Sequence, residues 1–474
     1  MKDIITQVTA KMIEEILNLF ENGSINNIEK LLKDAHSITA TAAKELIVAG
    51  ISKVDEALIA AKAERRNDHI RIQQKNVPRT LTTGLGDLTY HRTYFELDGE
   101  FAYLTDALIG VEPYERVSKE LCASLVQAAA DKSYGAVVKD AGVDLSRQTV
   151  NNKVLSLGEV TADPVPAEET PTELHIFGDE DHVHMKNGKC AIVPLITITE
   201  GIDTSSKRHQ TINPVHFQGY GISKQAFLDN IAAFICEKYD ITKIKTFYVH
   251  ADGSAAVNAL SDVLPDIIRA LDKFHLKKRL VSLSGIPNAA AYIPTIKRAI
   301  QNDNKNGFID ICKRIADKQE KTDKAAIKKL NEFTTYILNN WQAVVNRMTL
   351  EICGSCTEAL VSHVLSARLS RNPLAWSERG LQKMSMLRVY TKNGGMVSVE
   401  DIRRKQTEAE KKKEKNHLYR NGFDKYKQLA DKQMKQIMSQ RYDWSIFDHD
   451  EYRYGKITGT TMLLKAYGRV NECG

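Results

Sequence analysis

Leu174–Lys186 reads LHIFGDEDHVHMK and sets a run of ionisable residues directly behind an apolar one. Leu174, Ile176 and Phe177 have the pattern of a buried strand's start, and Gly178 lets the backbone pass close to a neighbour. On a strand alternate side chains share a face, so Asp179 and Asp181 are expected to point one way and Glu180 and His182 the other. A carboxylate at the mouth of a buried strand costs desolvation energy unless a cation compensates it. A hard divalent cation meets that need, because oxygen ligands suit magnesium or manganese. A solvated turn between two strands is the plain alternative.

Two later stretches add carboxylates in comparable places. Lys245–Asp252, KTFYVHAD, is a β-prone run ending on an aspartate and followed by Gly253 and a helix-like Ala255–Ala270. Open α/β sheets place ligand chemistry at such strand ends. Cys356–Ser370, CTEALVSHVLSARLS, spaces Leu360, Val361, Val364, Leu365 and Leu369 as a helix does, with Glu358 in its first turn. Two strand-end aspartates and one helical glutamate can converge on a pair of metal ions although 73 and 106 residues separate them.

Bulk properties narrow the class. A chain of 474 residues with 42% hydrophobic and 27% charged residues is expected to be a soluble globular protein of two or three domains. Its net charge of +6 is too mild to establish a nucleic-acid partner alone. The N-terminus, MKDIITQVTAKMIEEILNLF, mixes charges with apolar residues at helical spacing, so no secretory signal is read there. No uncharged apolar run reaches the ~18 residues that a membrane span needs. Seven scattered cysteines suit a reducing cytoplasm, and the lone Cys353–Cys356 pair lacks the second pair of a zinc finger.

In chain order, residues 1–75 read as a helical region, with helices at Ile4–Phe20, Ile28–Lys33 and Ala40–Arg66 and polar breaks at Glu21–Ile25 and His36–Thr39. Residues 76–162 open with a hairpin in TLTTGLGDLTYHRTYFEL, where Tyr90, His91, Arg92, Tyr94 and Phe95 mix bases with aromatics in a way that suits phosphate and base contacts. A helix to Lys139, a turn at Ala141–Val143 and a second helix capped by Ser146 follow, the layout of a helix-turn-helix. In that layout Arg147, Gln148, Asn151, Asn152 and Lys153 face the DNA major groove; plain packing is the competing reading. Pro-rich Asp163–Pro171 reads as a linker.

Beyond it, strands at Leu174–Met185, Ala191–Thr199 and Val215–Gln218 precede a helix at Ser223–Lys238 and a strand at Lys245–His250. An antiparallel meander followed by strands separated by helices is the layout of the ribonuclease H fold, a mixed five-stranded α/β sheet. That domain is expected over 172–280 and 351–395, interrupted by a lysine-rich, all-α insertion at 281–350. Arg368, Arg371, Arg379, Lys383 and Arg388 cluster around Trp376, and 396–474 is a basic helical region with Lys411, Lys412 and Lys413 in KKKEK; both suit nucleic-acid contact, although a charge run is usually a solvated face. Trp376 reads as a core residue, with stacking on an extruded base as the functional alternative.

The ordered set GDEDHVHMK, YVHADGSAAV, LDKFHLKKRL and CTEALVSHVLSARLSRNPLAWSERG, behind the hairpin TGLGDLTYHRTYF, resembles the bacterial insertion-sequence transposases of the ISLre class, mechanistic relatives of the Mutator-like enzymes. The resemblance spans Arg79–Leu387 and implies a DDE transposase with a ribonuclease H-like core and two magnesium or manganese ions. It implies Asp179, Asp252 and Glu358 as catalytic metal ligands, with Asp181 as a rival for the first position. His275 resembles a strand-borne histidine of the Mutator-like enzymes, a satisfied core histidine being its alternative. Terminal inverted repeats, target DNA and further copies of the chain are the implied partners, in the nucleoid of a bacterial cytoplasm. A nuclease or resolvase without strand transfer, or a DNA-binding regulator, are the competing functions.

Overall fold

The computed structural model describes residues 2–21, 27–97, 99–161, 164–205, 210–251, 260, 264, 267–319, 323–350, 352, 356–372, 374–402 and 428. The chain divides into two compact units, Met1–Cys122 with Arg404–Gly474, and Ala123–Arg403.

In the first unit helices α1 (Lys2–Glu21), α2 (Ile28–Ala60) and α3 (Lys62–Asn67) precede strands β1 (Ile70–Thr83), β2 (Gly86–Leu97) and β3 (Glu100–Ala102) and the short α4 (Leu104–Leu108). The break expected at His36–Thr39 does not occur. Thr39 Oγ1 donates to Ala35 O and Thr41 Oγ1 to Ser37 O, each at 2.9 Å, so hydroxyls that compete with helices elsewhere are satisfied inside this one. Strand β1 begins at Ile70, well before Arg79, and its register with β2 shifts between Gln74 and Val77, where Asn76 adopts φ 56°. That irregularity erases the alternation by which a strand is read. Tyr90, Arg92 and Phe95 are buried and not part of a contact surface. Asp106 accepts from Tyr90 Oη at 2.7 Å and pairs with Arg79 at 2.8 Å and with Arg92, which keeps a buried carboxylate and two guanidinium groups compensated.

The second unit begins within α5 (Lys119–Ala129), followed by α6 (Tyr134–Ala141) and α7 (Arg147–Ser156). Ser133 and Ser146 cap α6 and α7 by accepting from Ala136 N and Thr149 N, and Gly142 ends α6 at φ 63°, a conformation that favours glycine. Strands β4 (Glu173–His184), β5 (Cys190–Thr199), β6 (Gly201–Asp203), β7 (Gln210–Ile212) and β8 (Val215–Gln218) lead to α8 (Lys224–Lys238), β9 (Thr246–Ala251) and β10 (Ile267–Leu271). The main sheet has the order β10-β9-β4-β5-β8. Strand β4 is antiparallel to β5 and β5 to β8, whereas β4, β9 and β10 run parallel. Of the helix expected at Ala255–Ala270, Ile267–Ala270 belongs to β10. A short apolar run such as IIRAL has no period that separates helix from strand.

Because β4 is central, both of its faces are covered. Leu174 and Ile176 pack with Ile196, Ile198 and the α8 residues Phe227, Ile231 and Ile235. After β10 come α9 (Lys273–Ser282), α10 (Ile293–Gln301), α11 (Lys305–Asp317), α12 (Lys324–Asn339) and α13 (Trp341–Thr349), packed around Phe308, Phe333, Leu330 and Ile296. Helix α13 lies along β10, with Asn346 Nδ2 donating to Arg269 O and Arg347 Nε to Leu271 O, both at 2.8 Å. Finally α14 (Thr357–Val361) continues through a π-helical turn, Ser362–Ser366, into α15 (Ala367–Leu369), and α16 (Glu378–Lys392) follows.

At the β8 edge the side chain of Asn393 acts as a substitute strand: its Oδ1 accepts from His216 N at 2.8 Å and its Nδ2 donates to His216 O at 2.9 Å. Asn393→Ala is therefore expected to destabilise the protein by about 2 kcal/mol, the usual cost of an unmet donor and acceptor. Urea melts of the variant and the wild type check this.

Candidate functional site

Asp179 is half-buried on β4 and its Oδ1 accepts from Glu180 N at 2.9 Å. The parallel register of β4 and β9 ends at Gly178 opposite Ala251, and the next residue in sequence after each is an aspartate, Asp179 and Asp252. Asp252 lies outside the described residues. The helix bearing the third acid, α14, packs on β4; its Thr357 is buried while Glu358, one residue on, is exposed.

What ties that helix to the strand is a contact between residues far apart in sequence. Asp181 is only 6% exposed, and its Oδ1 accepts from Ser366 Oγ at 2.9 Å and Ser370 Oγ at 2.8 Å. Ser366 closes the π-helical turn and Ser370 follows α15, so the widened turn lets two hydroxyls reach one oxygen. Among the described residues Asp181 Oδ2 is buried without a hydrogen-bond partner. Of the two aspartates on this face, Asp181 thus holds the helix and Asp179 is the more accessible.

Behind the carboxylates, on the same face of the sheet, lies a chain of buried bases. Arg347 Nη2 donates to His250 Nδ1 at 2.5 Å, and His250 Nε2 is 3.2 Å from His175 Nδ1. Because a guanidinium only donates, His250 Nδ1 is the acceptor; the neutral ring then carries its proton on Nε2 and donates it to His175. Burial, and after it the Arg347 charge, pull His175 down to about 4 and hold His250 well below the ordinary histidine range. His250 also stacks on Phe177, ring centres 4.4 Å apart. Sequence inspection missed this network, whose only local sign was a histidine two places before Asp252.

The expected nucleic-acid contacts divide. On α7 Arg147, Gln148 and Asn152 are exposed, Asn151 and Lys153 half-buried, and Val150 and Val154 face inwards. Arg379 Nη2 donates to Leu155 O at 3.0 Å and Lys383 Nζ to Gly158 O at 3.3 Å, fixing this helix against α16. Arg371 is exposed and donates to Ser362 Oγ at 2.6 Å. Arg368 is not available to DNA: it is buried, its Nε donates to Ala129 O at 2.9 Å, and its guanidinium lies 5.3 Å from the Tyr134 ring and 5.0 Å from Trp376. Trp376 is likewise buried, with Nε1 donating to Leu369 O at 3.0 Å, and its backbone bridges to Met185 beside β4. A base cannot stack there without displacing these groups. His275 is not on a strand but in the first turn of α9, where Asp272 caps the helix. Lys411, Lys412 and Lys413 lie outside the described residues.

Among the described residues no group of three or more His, Cys, Asp or Glu is arranged to hold a metal ion; Asp179 and Glu358 are the two expected ligands that are described. Their hard carboxylate oxygens, with the unbonded Oδ2 of buried Asp181 two residues from Asp179, fit a divalent cation of the magnesium type. No described helix is long and apolar enough to cross a membrane.

These features define a mixed α/β protein with an acid-bearing central strand and an all-α excursion between β10 and α14. The chain belongs to the family described as Uncharacterised protein family (UPF0236), whose model matches residues 21–408. A UPF0236 protein of Caldanaerobacter subterraneus subsp. tengcongensis, whose name joins eleven locus designations, is 33% identical over 406 residues, 83% of this chain and 84% of that protein. Another from the same organism, its name joining four loci, is 32% identical over 409 residues, covering 83% and 84% of the two chains. A UPF0236 protein in the vanSb 3′ region of Streptococcus gallolyticus is 22% identical over 388 residues, 78% of this chain and 84% of that one.

Ser366→Ala with Ser370→Ala leaves a buried carboxylate without donors and should cost on the order of 3–5 kcal/mol, read as a lowered urea midpoint, whereas Asp181→Asn should cost much less. Burial, and after it Lys392, pull His216 down to about 4, as His175 is, so below the unfolded value of 6.5 the unfolded chain binds protons that the fold refuses. Stability conferred by these neutral rings is full above pH 6.5 and is lost as pH falls towards 4, on the order of 2–3 kcal/mol per ring. His216→Asn should flatten that part of the profile.

Proposed function

We propose that this protein is a DDE transposase: a metal-dependent enzyme that cuts phosphodiester bonds at the ends of an insertion sequence and joins them to target DNA. The observation that carries the reading is the sheet, whose order β10-β9-β4-β5-β8 and strand directions suit a ribonuclease H-like core. In such a core the first acid stands on the central strand, the second follows the neighbouring parallel strand, and the third comes from a helix packed on the first. Asp179 on β4, Asp252, next in sequence to Ala251 at the end of β9, and Glu358 on α14 are the acids that would serve in those places. Relatives whose names join eleven and four loci of one organism suit a gene that copies itself.

Asp179, Asp252 and Glu358 are the residues that would hold the ions. Magnesium or manganese, when bound, supplies the positive charge that stabilises the attacking and leaving oxygens of an in-line displacement. The chain's own part is positioning. Asp181 clamps the glutamate-bearing helix through Ser366 and Ser370, and the buried His175–His250–Arg347 chain stiffens β9 directly ahead of Asp252. In the first step a water oxygen attacks phosphorus at the element end and the 3′-oxygen leaves with a proton. In the second that 3′-hydroxyl attacks a target phosphorus, forming a new P–O bond while the target's own 3′-oxygen departs. With α6 and α7 serving as a helix-turn-helix, the polar face of α7 would read the terminal repeats in the major groove. Assembly of further copies on paired ends, in the nucleoid of a bacterial cytoplasm, completes the reading.

Asp252→Asn and Asp179→Asn are expected to lower magnesium-dependent cleavage at least 100-fold with DNA affinity within a few-fold of wild type. Asp181→Asn should leave most of the activity. Precut ends offered to the wild type should appear joined to target DNA; nicked or shortened DNA alone would identify a nuclease.

A further inference from the structure

The all-α stretch between β10 and α14 carries a groove of about 830 Å³ that the reading above leaves without a role. Helices α9 and α12 form its walls, and Arg279, Lys324, Lys328, Asn331, Glu332 and Tyr336 line it. Arg279 lies 4.2 Å over the Tyr336 ring, a stacked pair whose cation is held at the surface by an aromatic face and not by an acid. Lys324 and Lys328 are exposed one helical turn apart on α12, and Asn331, one place short of the next turn, is exposed as well. Glu332 is the one carboxylate in the lining, 4.0 Å from Lys328. Among the described residues neither Arg279 nor Lys324 forms an ion pair. Outside the lining, Lys273, Lys277 and Lys278 on α9 and Lys329 on α12 are also exposed.

A fold gains little by holding several cations together on a surface, because they repel each other. Such a row, interleaved with amides and an aromatic, suits a polyanion with evenly spaced charges and flat rings. An acidic peptide offers the charge but no regular phosphate spacing, and the planar fork of Arg279 matches phosphate oxygens two at a time.

We propose that this groove binds the sugar-phosphate backbone of DNA, with Arg279, Lys324 and Lys328 on phosphates and Tyr336 against a base or sugar. The site is separate from the three acids and works without metal. It places part of the DNA grip in this all-α stretch, on the helix that leaves β10 directly.

The test measures binding of the full-length protein to a fluorescent 30-base-pair duplex in EDTA, across a salt series. Arg279→Glu with Lys324→Glu should weaken binding at least tenfold at 100 mM salt and flatten the slope of log K against log salt by about 2. Lys324→Arg with Lys328→Arg should bind as wild type does. Equal affinity and slope in the Glu variant, with an unchanged melting temperature, would overturn the proposal, and so would a polyglutamate that competes as well as DNA does. Should the Glu variant melt early, Tyr336→Ala and Lys328→Gln are measured instead, with at least a threefold loss expected and no loss contradicting it. Since metal is absent throughout, a failed cleavage site does not alter these outcomes.

Discussion

A strand covered on both faces can carry carboxylates only where donors or cations are brought to them, and β4 carries two on one face. At Asp181 the donors are the hydroxyls of Ser366 and Ser370, delivered from 185 and 189 residues away in sequence. Much of the site's architecture follows from that one buried carboxylate. It fixes the helix that begins at Thr357 against the central strand and so settles on which side of the sheet Glu358 emerges. Asp179, two residues earlier on the same face, is left half-exposed.

The remaining polar groups on that face obey the same constraint by other means. His175 and His250 meet it by staying neutral, which burial and the nearby Arg347 both favour. Arg347 comes from α13, so the helical insertion does not merely interrupt the sheet: it contributes a side chain to the interior of β9. Thr197 and His216 pair across β5 and β8 at 2.8 Å, while Asn393 closes the exposed edge. Among the described residues Asp181 Oδ2 is a buried polar atom without a hydrogen-bond partner, and it lies two residues from the proposed metal position.

How much of this was legible in the sequence depended on whether the signal was local. Strands β4, β5, β8 and β9 and helix α8 announce themselves through apolar runs and bounding turns, and the α6–α7 pair through Gly142 and Ser146. Strand β10 is too short to show a period, and α2 hides its continuity because Thr39 and Thr41 bond within the helix. Charge was the poorest guide. Arg368, Arg388 and Arg92 look like surface cations in the sequence, yet all three are buried against backbone carbonyls, rings or acids that lie far away in the chain. The choice between Asp179 and Asp181 was equally closed to sequence, since it rests on two serines that no spacing rule connects to β4.

The central claim is that Asp179, Asp252 and Glu358 together hold the divalent cations. Replacing magnesium with ferrous iron and adding ascorbate and peroxide makes a bound ion cut the nearby backbone, and mass spectrometry of the fragments locates the cuts. The account predicts scission clustered at residues 178–181, 251–253 and 356–359, suppressed by excess magnesium and lost in Asp252→Asn. Cuts confined to one of these segments, or unchanged in that variant, would contradict it.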